Sequence, residues 1–396
     1  MNLDKKMIKN NIPRIRFNNF EAFWVEKRIA DIVKISAGGD VDKVKLKESG
    51  KYPVIANALT NKGIVGFYED YKVKAPAVTV TGRGDVGYAV ARHENFTPIV
   101  RLLTLQSEKI DVDYLENQIN SMRILNESTG VPQLTAPQLG NYKVYYPEIE
   151  EQSAIGSLFR TLHDLLASYK DNLANYQSLK ATMLSKMFPK AGQTVPEIRL
   201  NGFDGEWEVQ SLKELASFSK GNGYTKSDLV NSGNEIILYG QLYTNYQTVI
   251  SMVNTFVLET REKSVISKGG EVVVPASGES AEDISRASVI EKSGVIIGGD
   301  LNIIYPNENK VNSIFLALTI SNGSQQKELI KRAQGKSVVH LRNNDLEKVV
   351  LHYPSMEEQR AIGLYFSNLD NLINSHQEKI SQLETLKKKL LQDMFI

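Results

Sequence analysis

Several stretches carry residue types at the spacings of known chemistry, and the surrounding sequence decides what each can do. Gly82-Arg-Gly-Asp-Val-Gly87 spells GxGxxG after a β-branched run. In a dinucleotide site that loop opens a helix whose N-terminus faces the pyrophosphate. Here Tyr88-Ala-Val-Ala-Arg92 follows and reads as a strand, so the segment is a tight hairpin with Arg83 at its tip, placed to meet a phosphate or a base. Gly335-Lys336-Ser337 has the ending of a phosphate-binding loop, but the position that must be its first glycine is Ile330, and the order is helix then strand. Asp300 with Glu308 and Lys310 has the makeup of a nuclease carboxylate–lysine cluster around a metal. The intervening Pro306-Asn-Glu-Asn is turn chemistry, which would not hold such a cluster rigidly. The five histidines, His93, His163, His340, His352 and His376, show no HExxH and no paired metal spacing. With no cysteine, thiolate metal sites, disulfides and cysteine nucleophiles are excluded. These residues spell no catalytic centre and no metal site.

What remains is a set of polar side chains of the kinds that read nucleic acid. In the first half they are Asn57, Asn61, Lys62, Thr79, Thr81, Arg83 and Arg123. In the second half they are Tyr239, Gln241, Tyr243, Ser277, Glu279, Ser280, Arg286, Arg332, Gln334 and Lys336. Arginine and lysine pair with guanine edges or phosphates, and asparagine and glutamine pair with adenine. Taken one at a time, each of these is also an ordinary surface or turn residue.

The elements that must position them are organised by a duplication. Tyr146-Pro-Glu-Ile-Glu-Glu-Gln returns as Tyr353-Pro-Ser-Met-Glu-Glu-Gln, 207 residues later, and the match continues without a gap to Met187-Phe188 and Met394-Phe395. Each copy predicts one long helix. Its apolar stripe is Ile155, Leu162, Tyr169, Leu173, Tyr176, Met183 and Met187 in the first, and Ile362, Leu369, His376, Ile380, Leu383, Leu390 and Met394 in the second. About 40 residues at ~1.5 Å each make a rod of roughly 60 Å, which needs a partner along its length; the simplest partner is the other copy. Ser355 and Glu358 fit a capping box at the start of the second helix. A second repeat, Pro13–Trp24 and Pro196–Trp207, carries the chain's only two tryptophans at an offset of 183 residues.

The architecture is therefore linker, globule and long helix, written twice. The segments are an arm and linker (1–23), a globule (24–146), a long helix (147–190), a linker (191–206), a second globule (207–353) and a second long helix (354–396). In the first globule strands are predicted at Tyr52–Ala56, Ala77–Thr81, Tyr88–Ala91, Ile99–Thr104 and Lys143–Tyr146, with a helix at Asp113–Ile124. In the second, strands are predicted at Glu235–Tyr239, Glu271–Pro275, Gly294–Ile297 and Asn302–Tyr305, with helices at Ser313–Ile320 and Gln325–Ala333. The middles of the two globules do not align by eye. Short strands with intervening helices point to a compact α+β domain rather than a doubly wound sheet.

Composition sets the outer bounds. A chain of 396 residues has room for two or three domains with their own cores. Its 41% hydrophobic and 23% charged residues are ordinary for a soluble globular protein. No run reaches the ~18 apolar residues of a membrane span. The N-terminus has lysines but no apolar core of signal-peptide length, and a cytoplasmic setting is expected. A net charge of +1 makes no case for nucleic-acid binding by itself.

Taken together, these motifs resemble the specificity (S) subunit of Type I restriction–modification systems. The resemblance is carried by Pro196-Glu-Ile-Arg-Leu-Asn-Gly-Phe-Asp-Gly-Glu-Trp207, the two Glu-Glu-Gln helix starts, and the segments Gly130–Leu134 and Gly335–Leu341. The phrases Lys220–Leu229, Tyr239–Thr244 and Ala276–Ile284 add to it. It implies two mixed α/β target-recognition domains separated by two long helices in an antiparallel coiled coil, related by pseudo-twofold internal duplication. It further implies recognition of an asymmetric bipartite site on double-stranded DNA, one half-site per domain, by a chain that is not itself catalytic and binds no cofactor. The implied partners are two methyltransferase (M) subunits and restriction (R) subunits, which use S-adenosylmethionine, ATP and Mg²⁺.

Overall fold

The computed structural model describes residues 11–122, 124, 132–335 and 338–396. It divides into two compact units: Met1–Asp171 with Gln377–Ile396, and Asn172–His376. The described strands of the first unit are β1 (Val25–Arg28), β2 (Lys34–Ala37), β3 (Tyr52–Ile55), β4 (Ile64–Tyr68), β5 (Ala77–Val80), β6 (Ala89–Arg92), β7 (Thr97–Pro98), β8 (Leu103–Gln106) and β9 (Lys143–Tyr146). Its helices are α1 (Ile29–Ile32), α2 (Val112–Ser121) and α3 (Ala136–Asn141), followed by the start of the long helix α4 (Ile149–Lys186). An antiparallel sheet β2-β8-β5-β6 forms the centre, and α2 packs across β5 and β6. Beside it stands β4-β3-β7, in which β3 and β7 run parallel. The pair β1-β9 leads into α4.

The second unit contains β10 (Glu208–Ser211), β11 (Ala216–Lys220), β12 (Leu229–Val230), β13 (Asn234–Ile237), β14 (Val249–Ile250), β15 (Phe256–Val257) and β16 (Val265–Ile266). After these come β17 (Glu271–Pro275), β18 (Ser277–Gly278), β19 (Ser288–Ile290), β20 (Ile296–Ile297), β21 (Leu301–Pro306), β22 (Val339–His340) and β23 (Val350–Tyr353). Its helices are α5 (Leu212–Leu215), α6 (Gln241–Thr244), α7 (Ala281–Ile284), α8 (Ser313–Ile320), α9 (Gly323–Arg332), α10 (Asn343–Leu346) and the start of α11 (Met356–Asp393). The central sheet is β11-β21-β17-β19-β14, the neighbouring sheet β12-β15-β13-β20-β16, and the closing pair β10-β23.

The two units share one plan, which the sequence alone does not reveal. Strands β2, β8, β5 and β6 correspond in order to β11, β21, β17 and β19, and the parallel pair β3-β7 corresponds to β13-β20. Matched backbone hydrogen bonds fix the correspondence residue by residue. Ile99 N–H donates to the Ile55 carbonyl (2.9 Å) as Gly298 does to Ile237 (3.0 Å). Gly38 donates to Leu102 (2.8 Å) as Gly221 does to Leu301 (2.9 Å), and Leu134 to Gly82 as Leu341 to Ala276 (both 2.9 Å).

Each long helix is locked to its globule by the Glu-Glu-Gln motif. Glu151, 1% exposed, receives Arg16 of the preceding linker through two bonds of 2.6 and 2.7 Å. Glu358 receives Arg199 in the same way at 2.8 and 2.6 Å. The next residue turns the other way. Gln152 accepts from the Asp111 N–H (3.0 Å) and donates to the Pro147 carbonyl (2.9 Å), while Gln359 accepts from Asn312 (2.9 Å) and donates to Pro354 (2.9 Å). Asp111 and Asn312 are the N-caps of α2 and α8, so one glutamine ties two helix starts together. This corrects the capping box expected at Ser355. The Ser355 hydroxyl does accept from the Glu358 N–H (3.4 Å), but the Glu358 carboxylate is committed to Arg199, a charged donor, rather than to the N-cap backbone.

The far end of each helix is a plug. In the second unit Phe188 packs against Trp207, Phe315 and Phe366, with ring centroids 6.2, 5.7 and 6.2 Å away. In the first unit the matching Phe395 packs against Tyr114 (5.5 Å) and Phe159 (5.7 Å), and Tyr114 meets Trp24 (6.0 Å). The end of α4 thus completes the core of the second unit, and the end of α11 completes that of the first. Within each unit the two helices run antiparallel. Phe159–Phe395 and Lys170–Glu384 (2.7 Å) set the direction in the first, Tyr176–His376 (ring centroids 5.2 Å) and Lys180–Asp370 in the second. Of the apolar stripe, Ile155, Leu162, Met187, Ile362, Leu369, Ile380, Leu383 and Met394 are buried, and Tyr169, Leu173, Tyr176, Met183, His376 and Leu390 are half-buried. At its ends the stripe enters globular cores: Ile155 and Met394 that of the first unit, Met187 and Ile362 that of the second.

Most predicted elements form within a residue or two of their expected ends, with one informative exception. The run Ile99–Thr104 is not one strand: Val100 (φ 51°) and Arg101 (φ 60°) are left-handed and break it between β7 and β8. The helix expected at Asp113–Ile124 starts at Val112, because Asp111 caps it, and ends at Ser121. Two outcomes follow from the packing. Phe395→Ala destabilises the chain by about 3–5 kcal/mol, as measured by denaturant unfolding, because it empties an aromatic core. Gly156→Ala lowers the unfolding midpoint whereas the matched Gly363→Ala does not: a Cβ at 156 lies 2.5 Å from the Asp111 carboxylate, and one at 363 has 3.4 Å of clearance.

Candidate nucleic-acid interface

In the first unit the loops that leave the carboxyl ends of β3, β5 and β7 converge on one side chain. Asn57 donates to the Val100 carbonyl (2.6 Å) and accepts from the Gly82 N–H (2.7 Å), joining all three loops. Asn57 is therefore a brace. Asn61 (φ 49°) and Lys62 (φ 50°) form a left-handed pair in the first loop, as Val100 and Arg101 do in the third. Such a backbone is uncommon for residues other than glycine and persists only where its surroundings hold it. Arg92 is one of those holds. It is 7% exposed and donates to the Lys62 carbonyl (2.7 Å) and to the Thr79 hydroxyl (2.9 Å). Burial lowers its pKa to about 10, so it stays charged at neutral pH.

Thr79 and Thr81 are buried and work inside the sheet end: Thr79 donates to Val90 (3.3 Å), and Thr81 donates to the Asp85 carbonyl and accepts from the Tyr88 N–H, shaping the hairpin that carries Arg83. That hairpin joins β5 and β6 as expected, and Arg83 is half-buried and bridged to Gln133. Lys62 and Arg101 are exposed, Arg83 is half-buried, and Asn61 is exposed with its amide donating to the Ile64 carbonyl (3.3 Å). Among the described residues, no carboxylate pairs with Lys62, Arg83 or Arg101. Arg123 lies outside the described residues.

In the second unit the corresponding strand ends gather Tyr239, Gln241, Tyr243, Ser277, Glu279 and Ser280. Gln241 accepts from Leu238 N–H (2.8 Å) and donates to Thr255 (2.6 Å), so its side chain is occupied internally. The Tyr239 and Tyr243 rings lie 6.3 Å apart, and desolvation first, then Tyr239, Glu279 and Asp283, raises the Tyr243 pKa. Ser280 caps α7, accepting from the Asp283 N–H (3.1 Å). Ser277 is buried opposite His340, and Gln334 also pairs with His340 through the backbone. Arg332 is taken by Glu328 at 2.6 Å, one turn back on α9. Arg286 stands apart from the strand ends, over the Tyr246 ring (5.5 Å) in a cavity of about 230 Å³ lined also by Lys180, Thr248 and Gln326. Lys336 lies outside the described residues. Among the described residues no group of side chains could hold a metal ion, and no helix is long and apolar enough to cross a membrane.

Sequence reading missed Arg16, Arg92, Arg199 and Arg101. The first and third were legible as repeat-matched arginines facing repeat-matched glutamates. Arg92 sits in an alternating strand with no local sign of its burial, and Arg101 hides in an apolar run that looks like strand.

Comparisons place this arrangement. A family model described as the Type I restriction modification DNA specificity domain matches twice, over residues 22–175 and 204–385. The chain is 22% identical over 399 residues to the Type I restriction enzyme MjaVIII specificity subunit of Methanocaldococcus jannaschii, covering 93% of this chain and 91% of that one. It is 28% identical over 161 residues to a putative type I specificity subunit of Mycoplasma pneumoniae, covering 39% and 49%. The crystal structure of a Type I restriction–modification S subunit from M. genitalium has the same fold, with a TM-score of 0.67 at 16% identity over 97% of this chain and 99% of that one. With two copies of the domain spanning most of its length, the chain belongs to the family of Type I restriction–modification specificity subunits.

Proposed function

We propose that the chain reads an asymmetric, two-part DNA target, one half-site per unit, and brings methyltransferase and restriction subunits to it. The observation that carries this reading is the pairing of a common scaffold with unlike strand-end loops. The same hydrogen bonds hold both units, while the loops expose the cations Lys62 and Arg101 in one and the carboxylate Glu279 beside half-buried tyrosines in the other. In this reading the chain acts without a cofactor of its own in the cytoplasm; S-adenosylmethionine, ATP and Mg²⁺ serve its partners. The long helices act as an antiparallel coiled coil that sets the separation of the half-sites, for which one turn of B-DNA, ~34 Å, is the natural unit.

The helices also offer a partner surface in duplicate. Leu165 (40% exposed) and Leu386 (44%) face solvent in the first unit, and their repeat mates Leu372 (41%) and Leu179 (37%) do so in the second. Repeat-matched exposed leucines suit two copies of one partner, and we assign them to the methyltransferase subunits.

Selection of randomised duplex DNA by the chain in complex with its methyltransferase subunits should return a motif with two fixed parts and a constant spacer. Exchanging residues 207–353 for those of a relative should change one part alone; a motif with a single fixed part, or one that changes throughout, would sink the reading. Leu165→Glu with Leu386→Glu should weaken methyltransferase association at least about tenfold in a pull-down titration. The thermal midpoint should stay within the small range expected of surface changes. Unaltered association would place the partner elsewhere.

A further inference from the structure

The matched scaffolds make two unlike residues equivalent. Leu102 and Leu301 accept the same hydrogen bond, from Gly38 and Gly221, and Ile99 and Gly298 make the same bond to the parallel neighbour strand. Counting between those fixed points, Arg101 and Asp300 occupy one position of the plan. Both are exposed, both are left-handed (φ 60° and 58°), and both follow the last residue of the parallel strand pair, β7 or β20. Each backbone is held in its own way: the Arg101 N–H donates to the Gly38 carbonyl at 3.0 Å and its carbonyl packs closely over Gly82. A Cβ at Gly82 would lie 2.9 Å from the Arg101 carbonyl, and the corresponding Ala276 N–H donates to the Asp300 carbonyl at 2.7 Å. Neither side chain has an ion pair among the described residues. An uncommon backbone is therefore kept at one place in both units, while the side chain on it changes from cation to anion.

We infer that Arg101 and Asp300 are equivalent specificity-determining residues, each contacting one base of its half-site: Arg101 a guanine, Asp300 a cytosine. This rests on the proposed function and names the chemistry within it. A guanidinium donates two parallel bonds to the O6 and N7 acceptors of guanine, and a carboxylate accepts from the N4 amino group of cytosine. The left-handed residue turns the chain sharply between the two sheets, so its side chain leaves the strand ends at a fixed angle and not from a mobile loop. Asn57, which donates to the Val100 carbonyl, and the Gly38 and Gly39 carbonyls, which accept from the Arg101 and Val100 N–H groups, hold that angle in the first unit, and Asn57 is a positioning residue. Asp300 as a metal ligand is not supported: no acidic or imidazole side chains gather with it among the described residues.

The test is selection of randomised duplex DNA by the full chain in complex with its methyltransferase subunits, comparing wild type with Arg101→Gly and Asp300→Gly. Glycine is at ease with this backbone, so folding should be retained; Arg101→Asn and Asp300→Asn, which also tolerate it, repeat the test if a glycine variant fails to fold. Arg101→Gly should relax one position of the first half-site by about 10- to 100-fold and leave the other half-site intact, and Asp300→Gly should do the converse. Arg101→Lys should keep the overall affinity while losing much of the guanine preference. The inference is overturned if the motif is unchanged in both variants, or if binding falls evenly over all sequences, as loss of a phosphate contact would produce. A wild-type complex that selects no two-part motif would instead overturn the proposed function.

Discussion

Everything distal in this protein hangs on a buried carboxylate next to an amide at the start of each long helix. Glu151 and Glu358 sit almost fully out of water, where an unpaired charge is untenable, and each is matched by an arginine from the linker at two short bonds. Removing one partner of such a pair typically destabilises by about 3–5 kcal/mol, because the survivor is stranded. The pair therefore dictates where the linker runs. The adjoining Gln152 and Gln359 dictate where the first helix turn meets α2 and α8. A helix ~57 Å long magnifies any error at its root. Two bonded side chains at that root, with Gly156 allowing close approach in the first unit, remove most of the freedom.

The same lock is drawn slightly differently in the two halves, and the difference is instructive. In the first, the Trp24 indole also donates to Glu151 (3.3 Å); in the second, the Trp207 indole nitrogen is buried without a partner. The aromatic bulk is common to both and the hydrogen bond is not. Packing is therefore what the tryptophan supplies, with Phe315 and Phe188 closing on Trp207 as Tyr114 closes on Trp24.

Much of this was legible in the residues. The duplication, the two long helices and the strands Glu271–Pro275 and Lys143–Tyr146 could be read from periodicity and β-branched runs, since those signals are local. The common plan of the globules was not legible. It is held by backbone hydrogen bonds, which leave no mark on side-chain identity, so Ile99 can stand where Gly298 does. The candidate interface was half legible. Asn57, Thr79, Thr81 and Gln241 have the right chemistry for bases but spend it on their own backbone, a distinction only coordinates make. Arg101 went unread, and Asp300 was read only as part of a metal cluster, because their left-handed backbone is not visible in the sequence.

Phe395 lies 236 residues after Phe159 in the chain, yet it finishes the core that Trp24, Tyr114 and Phe159 begin. On the ribosome, the second unit has all of its residues once His376 has emerged, whereas the first must wait, with an aromatic cavity open, until Phe395 has been added. Between Asp171 and Phe395 the ribosome adds 224 residues, which at typical elongation rates takes on the order of 10–40 s. Synthesis thus reverses the usual vectorial order, so that the domain encoded first matures last. A chain that stops short of Phe395 would then carry one finished half and one exposed apolar core, a mark by which chaperones and proteases could recognise it.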